Sequence, residues 1–213
     1  MRGIAGIAAA GALLALSGCA TMSEEQCLAG DWTGQGRAAG AAGYGSGRLS
    51  EHAEACARHG VVPDTDSYYR GHMQGVRQYC TPGRGFRVAA GGGGYANGFC
   101  PADLEQDFLY AYSDGRLVWD AVQRAADLRG RADELRSRAA GYEQDIRNEE
   151  HRLANEEDLT AEQRRTIRDR INRLRRDRDT ANDQAAAMSY DITDAEREVS
   201  RLRARFTPVY GNF

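Results

Sequence analysis

The stretch that decides the fold spans residues 121–153 and reads AVQRAADLRGRADELRSRAAGYEQDIRNEEHRL. Along it, apolar residues recur at alternating steps of four and three, the spacing that places side chains on one face of a helix. We call this series the first seam: Ala121, Ala125, Leu128, Ala132, Leu135, Ala139, Tyr142, Ile146, Glu149 and Leu153. Because only Glu149 breaks its apolar character, the pattern predicts a long helix with one apolar face.

A second series with the same spacing follows toward the C-terminus. We call it the second seam: Ile167, Ile171, Leu174, Arg178, Ala181, Ala185, Met188, Ile192, Ala195, Val199, Leu202 and Phe206. A polar segment separates the two seams, and it ends in Thr160, which is followed three residues later by Gln163. This arrangement is typical of a capping box, so we expect a new helix to begin there.

The two seams predict an antiparallel coiled-coil hairpin over residues 118–207, with its turn near residues 155–160 and a short tail at 208–213. Each seam alone is rich in alanine and gains little from burial, whereas packing them together covers both. The alternative is a single helix that continues through Thr160 and dimerises with a second chain.

Charge favours the same antiparallel register. Acidic side chains dominate residues 143–158 and arginines dominate residues 164–178, so a fold-back places opposite charges together. We expect these arginines to pair with the acidic arm; the alternative is that they bind an anion or a lipid headgroup. We also expect Arg178, the one charged residue of the second seam, to face the ring or hydroxyl of Tyr142.

The part of the chain before residue 118 has a different composition, with most of the glycines and all the cysteines. Glycine-rich residues 33–47 and 81–97 indicate loops, in preference to a glycine zipper built on Gly36, Gly40 and Gly47. Short helices are expected at residues 49–59, at about 66–79 with Asp66 or Ser67 as cap, and after Pro101. The fold class is therefore mainly α: a small Gly-rich, disulfide-stapled N-terminal domain (residues 19–117) followed by the hairpin.

The N-terminus has the pattern of an export signal. Arg2 precedes an apolar run that is too short to span a bilayer, and small residues lead directly to Cys19. We interpret residues 1–18 as a cleaved lipoprotein signal peptide and Cys19 as the acylated (diacylglycerol- and palmitate-bearing) first residue; the alternative is an ordinary secreted protein. In Gram-negative lipoproteins an Asp directly after the acylated cysteine favours the inner membrane, so the resemblance to that class implies that a protein with Ala20 is in the outer membrane and faces the periplasm.

Four cysteines remain after Cys19, an even number that indicates two disulfides in an exported protein. Of the three possible connectivities we favour Cys27–Cys56 together with Cys80–Cys100, which closes the second glycine-rich segment. His52, Cys56 and His59 share one helix face at metal-like spacing, but oxidation of Cys56 favours a disulfide with surface histidines over a metal site.

Spaced Gly, Cys and Tyr positions run from Cys27 and Gly30-Asp31-Trp32 to Tyr95 and Cys100. Read together, these motifs resemble a family of bacterial lipoproteins known as domain of unknown function 2799. The resemblance covers about residues 27–117 and departs from the family at Ala39, where an Asp is usual, and at Ala89, where a Gly is usual. It implies a periplasm-facing lipoprotein and supplies no established activity. The positions that carry it include Gly30, Asp31, Trp32, His52, Tyr68, Gly71, Gly75, Tyr79 and Tyr95.

These observations favour a non-enzymatic scaffold or adaptor in the cell envelope, held by lipid at Cys19 and bound through its hairpin to an envelope protein or the cell wall. We expect no metal or other cofactor. A net charge of −3 gives no reason to expect nucleic acid. The alternative is a small envelope hydrolase or redox enzyme that uses His52, His59 and Asp31.

Overall fold

The computed structural model describes residues 21–213, and this part of the chain is helical without a β-strand. The mainly-α class is therefore confirmed. The chain divides into two compact units between Tyr79 and Cys80. The helices are α1 (Glu24–Ala29), α2 (Trp32–Ala42), α3 (Arg48–Ala57), α4 (Thr65–Tyr79), α5 (Pro82–Ala90), α6 (Ala102–Asn155), α7 (Ala161–Ala187) and α8 (Ser189–Tyr210).

The first unit contains α1 to α4, and short polar motifs set the helix starts. Ser23 and Gln26 form a capping box at α1, and Asp31 accepts a hydrogen bond of 2.8 Å from the Gly34 amide at α2. At α4, Asp64 accepts from the Ser67 amide at 3.0 Å, so the helix begins earlier than the cap expected at Asp66 or Ser67. Eight buried residues of this unit form one apolar cluster: Met22, Cys27, Trp32, Ala39, Leu49, Ala55, Cys56 and Tyr68.

Residues 33–47, expected to be a loop, are largely helical, and this prediction was wrong. Glycines allow α2 and α4 to pack backbone against backbone: a Cβ at Gly36 would overlap the carbonyl oxygen of Tyr68, and one at Gly75 would overlap that of Arg37. Gly40 and Gly71 make the equivalent approaches. Each contact joins a residue of α2 to a residue of α4 that lies about 36 positions later in the sequence. Because this separation stays nearly constant along the contact, α2 and α4 run parallel.

The second unit begins with α5, which lies within the segment expected to be a second loop. Thr81 accepts from the Arg84 amide and Pro82 occupies the first turn, two features that start a helix. Gly85 then lets α5 approach the backbone of α6 at Phe108. The loop prediction was wrong for residues 82–90, because close packing offsets the low helix propensity of glycine.

Helix α6 runs without interruption for 54 residues, about 80 Å, and starts directly after Pro101 as expected. Helix α7 starts at the expected capping box, in which Thr160 and Gln163 exchange hydrogen bonds of 2.8 and 3.2 Å. Every residue of both seams is buried or half-buried. Near the turn, Ile146, Ile167 and Ile171 form one apolar cluster.

Ion pairs join α6 to α7 and α8 in antiparallel order. The shortest N–O distances are 2.7 Å for Arg178 with Glu143, 2.6 Å for Arg175 with Glu150, and 2.6 Å for Arg129 with Glu196. As residue numbers fall along α6 they rise along α7 and α8, which is the order that antiparallel helices require.

Arg178 does not take the partner expected for it. Its guanidinium donates to Glu143 at 2.7 Å and to Asp179 at 2.8 Å, rather than to Tyr142. Glu143 is one residue after Tyr142 of the first seam, and its carboxylate reaches the guanidinium from the side. The resulting charge-assisted hydrogen bond is stronger than a contact with the Tyr142 ring.

The second arm also differs from a single helix, because it is interrupted at Met188 between α7 and α8. Neither glycine nor proline marks this position in the sequence. The amide of Met188 still donates to Gln184 and its carbonyl accepts from Ile192, so the chain direction is kept while one turn is irregular.

Gly115 is close to residue 118, where the composition of the chain changes. It lies inside α6 and does not mark a boundary between two folded units. A Cβ at Gly115 would overlap the carbonyl oxygen of Phe86, so this glycine lets α5 approach α6. The end of α8 packs on the same place, with the ring of Tyr210 stacked 4.3 Å from that of Phe86. Among residues 21–213, no helix combines the length and the apolar character needed to cross a membrane.

Candidate functional site

The four cysteines of the described chain form two disulfides, Cys27–Cys56 and Cys80–Cys100. This pairing is the one favoured from the sequence. The first bond joins α1 to the end of α3, and both of its sulfurs are fully buried. The second closes the segment that contains α5. Each bond stabilises its unit by restricting the unfolded chain.

The Cys27–Cys56 disulfide removes Cys56 as a metal ligand, because a coordinating cysteine must be a free thiolate. The other two members of the candidate metal set have protein partners: His52 shares a hydrogen bond with Thr21, and His59 lies 3.8 Å from Glu24. Within residues 21–213, no group of His, Cys, Asp or Glu side chains is arranged to hold a metal ion.

The three residues considered for catalysis are used separately in the fold. Asp31 caps α2 through the Gly34 amide, His52 binds Thr21, and His59 lies beside Glu24 at the start of α1. A general acid–base site needs its groups within hydrogen-bond reach of one reacting atom. Each of these side chains instead has its own local partner.

The residues that carry the family resemblance hold the first unit together. Gly30 has φ of +66° and ends α1, which lets Asp31 cap α2 and places Trp32 in the core at 5 % exposure. Gly71 and Gly75 bring α4 against α2. Tyr79 covers Gly43, whose φ of +89° terminates α2.

His52, Tyr68 and His72 form a row of buried rings. The ring centroids of His52 and Tyr68 are 5.9 Å apart, and those of Tyr68 and His72 are 6.1 Å apart. Burial lowers the pKa of His52, with a smaller contribution of the same sign from Arg48 and an opposing one from Glu51. The hydroxyl of Tyr68 is buried and has no hydrogen-bond partner among residues 21–213, and burial raises its pKa.

Thr21 and Met22 attach the start of the described chain to this row, a role that sequence reasoning missed. The Oγ1 atom of Thr21 lies 3.0 Å from Nδ1 of His52, and the Met22 sulfur lies 3.9 Å from Sγ of Cys56. Met22 is only 2 % exposed. The single signal in the sequence is an apolar residue directly before the capping serine Ser23, at the position of a hydrophobic staple.

Tyr95 organises the loop before α6. Its hydroxyl donates to Oε1 of Glu105 at 2.7 Å and accepts from the Cys100 amide at 3.1 Å, while the Gly98 amide donates to the same carboxylate. The hydrogen bond from Tyr95, followed by that from Gly98, lowers the pKa of Glu105. The tyrosine therefore fixes the geometry of the Cys80–Cys100 loop.

The arginines of residues 164–178 have three kinds of surroundings. Arg164 is half-buried and donates to the carbonyl oxygens of Leu153 at 3.1 Å and Glu156 at 3.2 Å. Arg170, Arg175 and Arg178 form ion pairs with the acidic arm, as expected. A third group is exposed, and its members make no hydrogen bond or ion pair with the described part of the chain. This group, here called the outer arginines, contains Arg165, Arg168, Arg173 and Arg176.

The outer arginines share the side of α7 that faces away from the seam, because steps of three, four and eight residues return to the same helix face. Asn172 is at the middle of this face and Asp169 is the one acid on it. The outward face of α6 opposite the same stretch carries neutral residues such as Asn148. The positive charge is therefore confined to one side.

The expected lipidation residue Cys19 and the expected signal peptide, residues 1–18, lie outside the described residues. No curated protein and no solved structure matches the chain. Residues 31–117 match one family, described as Protein of unknown function (DUF2799). The match includes the caps, the helix-packing glycines and Tyr95, all of which serve the fold. Over residues 31–117, less than half of the chain, the protein is thus similar to the family of proteins of unknown function DUF2799.

Proposed function

We propose that the protein is an outer-membrane lipoprotein, anchored by acyl chains on Cys19, that acts as a scaffold or adaptor in the periplasm and not as an enzyme. In this proposal residues 1–18 are a cleaved signal peptide, and a Gly-rich, disulfide-linked domain follows the anchor. Helices α6, α7 and α8 form an antiparallel coiled-coil hairpin that binds an envelope partner.

One observation carries the interaction role: the seams are covered within the chain, while the outer arginines have no partner in the described residues. The hairpin needs no second chain to bury its apolar faces. Four exposed guanidinium groups on one helix face suit a partner with a carboxylate- or phosphate-bearing surface. The residues of the family motif support the same proposal, because capping and close packing account for them.

The proposed partner site can be tested by photocrosslinking in intact cells. A photoreactive residue at Asn172, in the middle of the outer arginines, should give a discrete adduct. The same residue at Asn148, on the outward face of α6, is the matched control and should give none. Replacing the outer arginines with glutamine should abolish the Asn172 adduct while leaving the helical spectrum unchanged.

Two results would count against this role. Equal adducts at Asn148 and Asn172 would mean that the arginine face has no special affinity. An Asn172 adduct that persists in the glutamine variant would mean that its charge does not recruit the partner.

A further inference from the structure

The folded part of the first unit begins almost at the proposed anchor. Only Ala20 separates Cys19 from Thr21, whose hydroxyl is hydrogen-bonded to His52. Consecutive Cα atoms are 3.8 Å apart, so the acylated Cα lies within roughly 7 Å of that of Thr21. Met22 is buried at 2 % exposure and Ser23 already caps α1. The chain therefore has no length for a flexible tether.

The first unit has two distinct ends. Helices α2 and α4 run parallel, so their starts lie at the same end. Cys56, at the end of α3, is bonded to Cys27 shortly before α2 and lies 3.9 Å from the Met22 sulfur, which places Met22 and this disulfide at that end. The other end carries the loop after α2, where Arg48 lies over the ring of Tyr44. Thr21 therefore enters the unit at the first of these ends.

Exposed apolar side chains occur at the same end as Thr21. Val61 packs on the core cluster and the adjacent Val62 is 86 % exposed. Leu28, beside the disulfide-bonded Cys27, is 65 % exposed. The contact between His59 and Glu24 holds the segment before Val62 against α1.

We propose that this end of the first unit rests on the phospholipid surface, with Val62 and Leu28 in the interfacial region. The inference rests on the proposed lipid anchor at Cys19 and adds an orientation to it. The occupant is lipid and not a protein, because the single residue between Cys19 and Thr21 leaves no space for another domain between the anchor and this end. Small apolar side chains that enter the interface add to the binding of the acyl chains.

Tryptophan reporters test this orientation in the mature, acylated protein reconstituted into phosphatidylethanolamine–phosphatidylglycerol vesicles with brominated acyl chains. Val62→Trp is the test and Ser46→Trp, in the exposed loop at the opposite end, is the matched control. Emission of the parent protein, from Trp32 and Trp119, is subtracted. We expect bromine to quench the Val62→Trp emission at least about twofold more than that of Ser46→Trp.

A second variant separates orientation from anchoring. Insertion of roughly ten Gly/Ser residues between Ala20 and Thr21 provides a flexible linker, so the protein should still float with the vesicles while the excess quenching at Val62→Trp disappears. Equal quenching of the two reporters in protein that floats and keeps its helical spectrum overturns the proposed orientation alone. Failure of the acyl-bearing protein to float overturns the anchor and the orientation with it.

Discussion

At the scale of single residues, polar groups inside apolar surfaces need charged or hydrogen-bonded partners. Glu149 is the clearest case, because it occupies the first seam at 6 % exposure. Its two oxygens lie 3.2 Å from Arg170 and 3.1 Å from Arg152. Both arginines remain half in solvent, so the carboxylate bears most of the cost of burial.

We predict that Glu149→Leu leaves the free energy of unfolding unchanged or raises it, since an apolar residue completes the seam and the arginines stay hydrated. Glu149→Gln should lower that free energy by about 1–2 kcal/mol, because a buried amide cannot replace both charged interactions. Urea denaturation followed by circular dichroism measures both variants. A leucine variant less stable than the glutamine variant would contradict this account.

His52 provides a pH-dependent contribution to stability. Its pKa in the folded protein is below the ordinary value of 6.5, mainly because of burial. Above about pH 6.5 the side chain is neutral in both states and its contribution is complete. As the pH falls below this value the unfolded chain binds a proton that the folded chain resists, so the free energy of unfolding decreases.

We therefore expect the free energy of unfolding of the wild-type protein to fall more steeply than that of His52→Gln as the pH decreases from 7.5 to the pKa of His52 in the folded protein. Glutamine is chosen because it keeps a hydrogen-bonding group for Thr21. Urea titrations at several pH values measure the difference. His151→Gln, at an exposed position on α6, is the control and should follow the wild type. If the free energies of unfolding of wild type and His52→Gln change in parallel with pH, His52 is not the source of the pH dependence.

At the scale of helices, the same residue type has opposite effects at different positions. Glycine weakens an isolated helix by roughly 0.5–1 kcal/mol relative to alanine. In α2 and α4, however, glycine permits backbone contact that any Cβ would block. In the middle of α6, apart from the adjacent residues and backbone of its own helix, Gly130 has no atom of the described chain within 4 Å of the place where a Cβ would lie.

We predict that Gly36→Ala destabilises the first unit by about 1–3 kcal/mol, because the methyl group forces α2 away from α4. Gly130→Ala, the matched control, should stabilise the protein by about 0.5–1 kcal/mol through helix propensity alone. Thermal unfolding followed by circular dichroism compares them. Stabilisation by both substitutions would mean that the α2–α4 contact is less close than described.

At the scale of the whole molecule, the decisive question is whether the two seams meet within one chain. Ala139 and Ala181, at 5 % and 6 % exposure, belong to the first and second seams respectively. We predict that Ala139→Cys/Ala181→Cys forms an intrachain disulfide at dilute protein concentration, in a protein that keeps both native disulfides. A fold-back places these side chains opposite each other.

Non-reducing electrophoresis and peptide mapping identify the product. Ala139→Cys paired with Asn172→Cys is the control and should not crosslink, because Asn172 is on the outward face of α7. Interchain products alone would favour the continuous helix that dimerises through Thr160.

The sequence by itself determined the features that depend on local spacing and on residue chemistry. Periodicity identified both seams, the Thr160–Gln163 pair located the start of α7, and the even number of cysteines after Cys19 indicated two disulfides, with the favoured pairing the one that forms. Each of these signals lies in a few neighbouring residues or in the number of cysteines in the chain.

Only the tertiary structure decided which glycines belong to helices, which carboxylate binds Arg178, and that Thr21 is bound to the first unit. Each depends on a partner distant in sequence. By local propensity Gly36 favours a loop, and only its contact with Tyr68 places it in a helix. Arg178 has several acids within reach of its flexible side chain. Local propensity cannot specify such contacts, because the energy that selects them arises only when separate elements pack together.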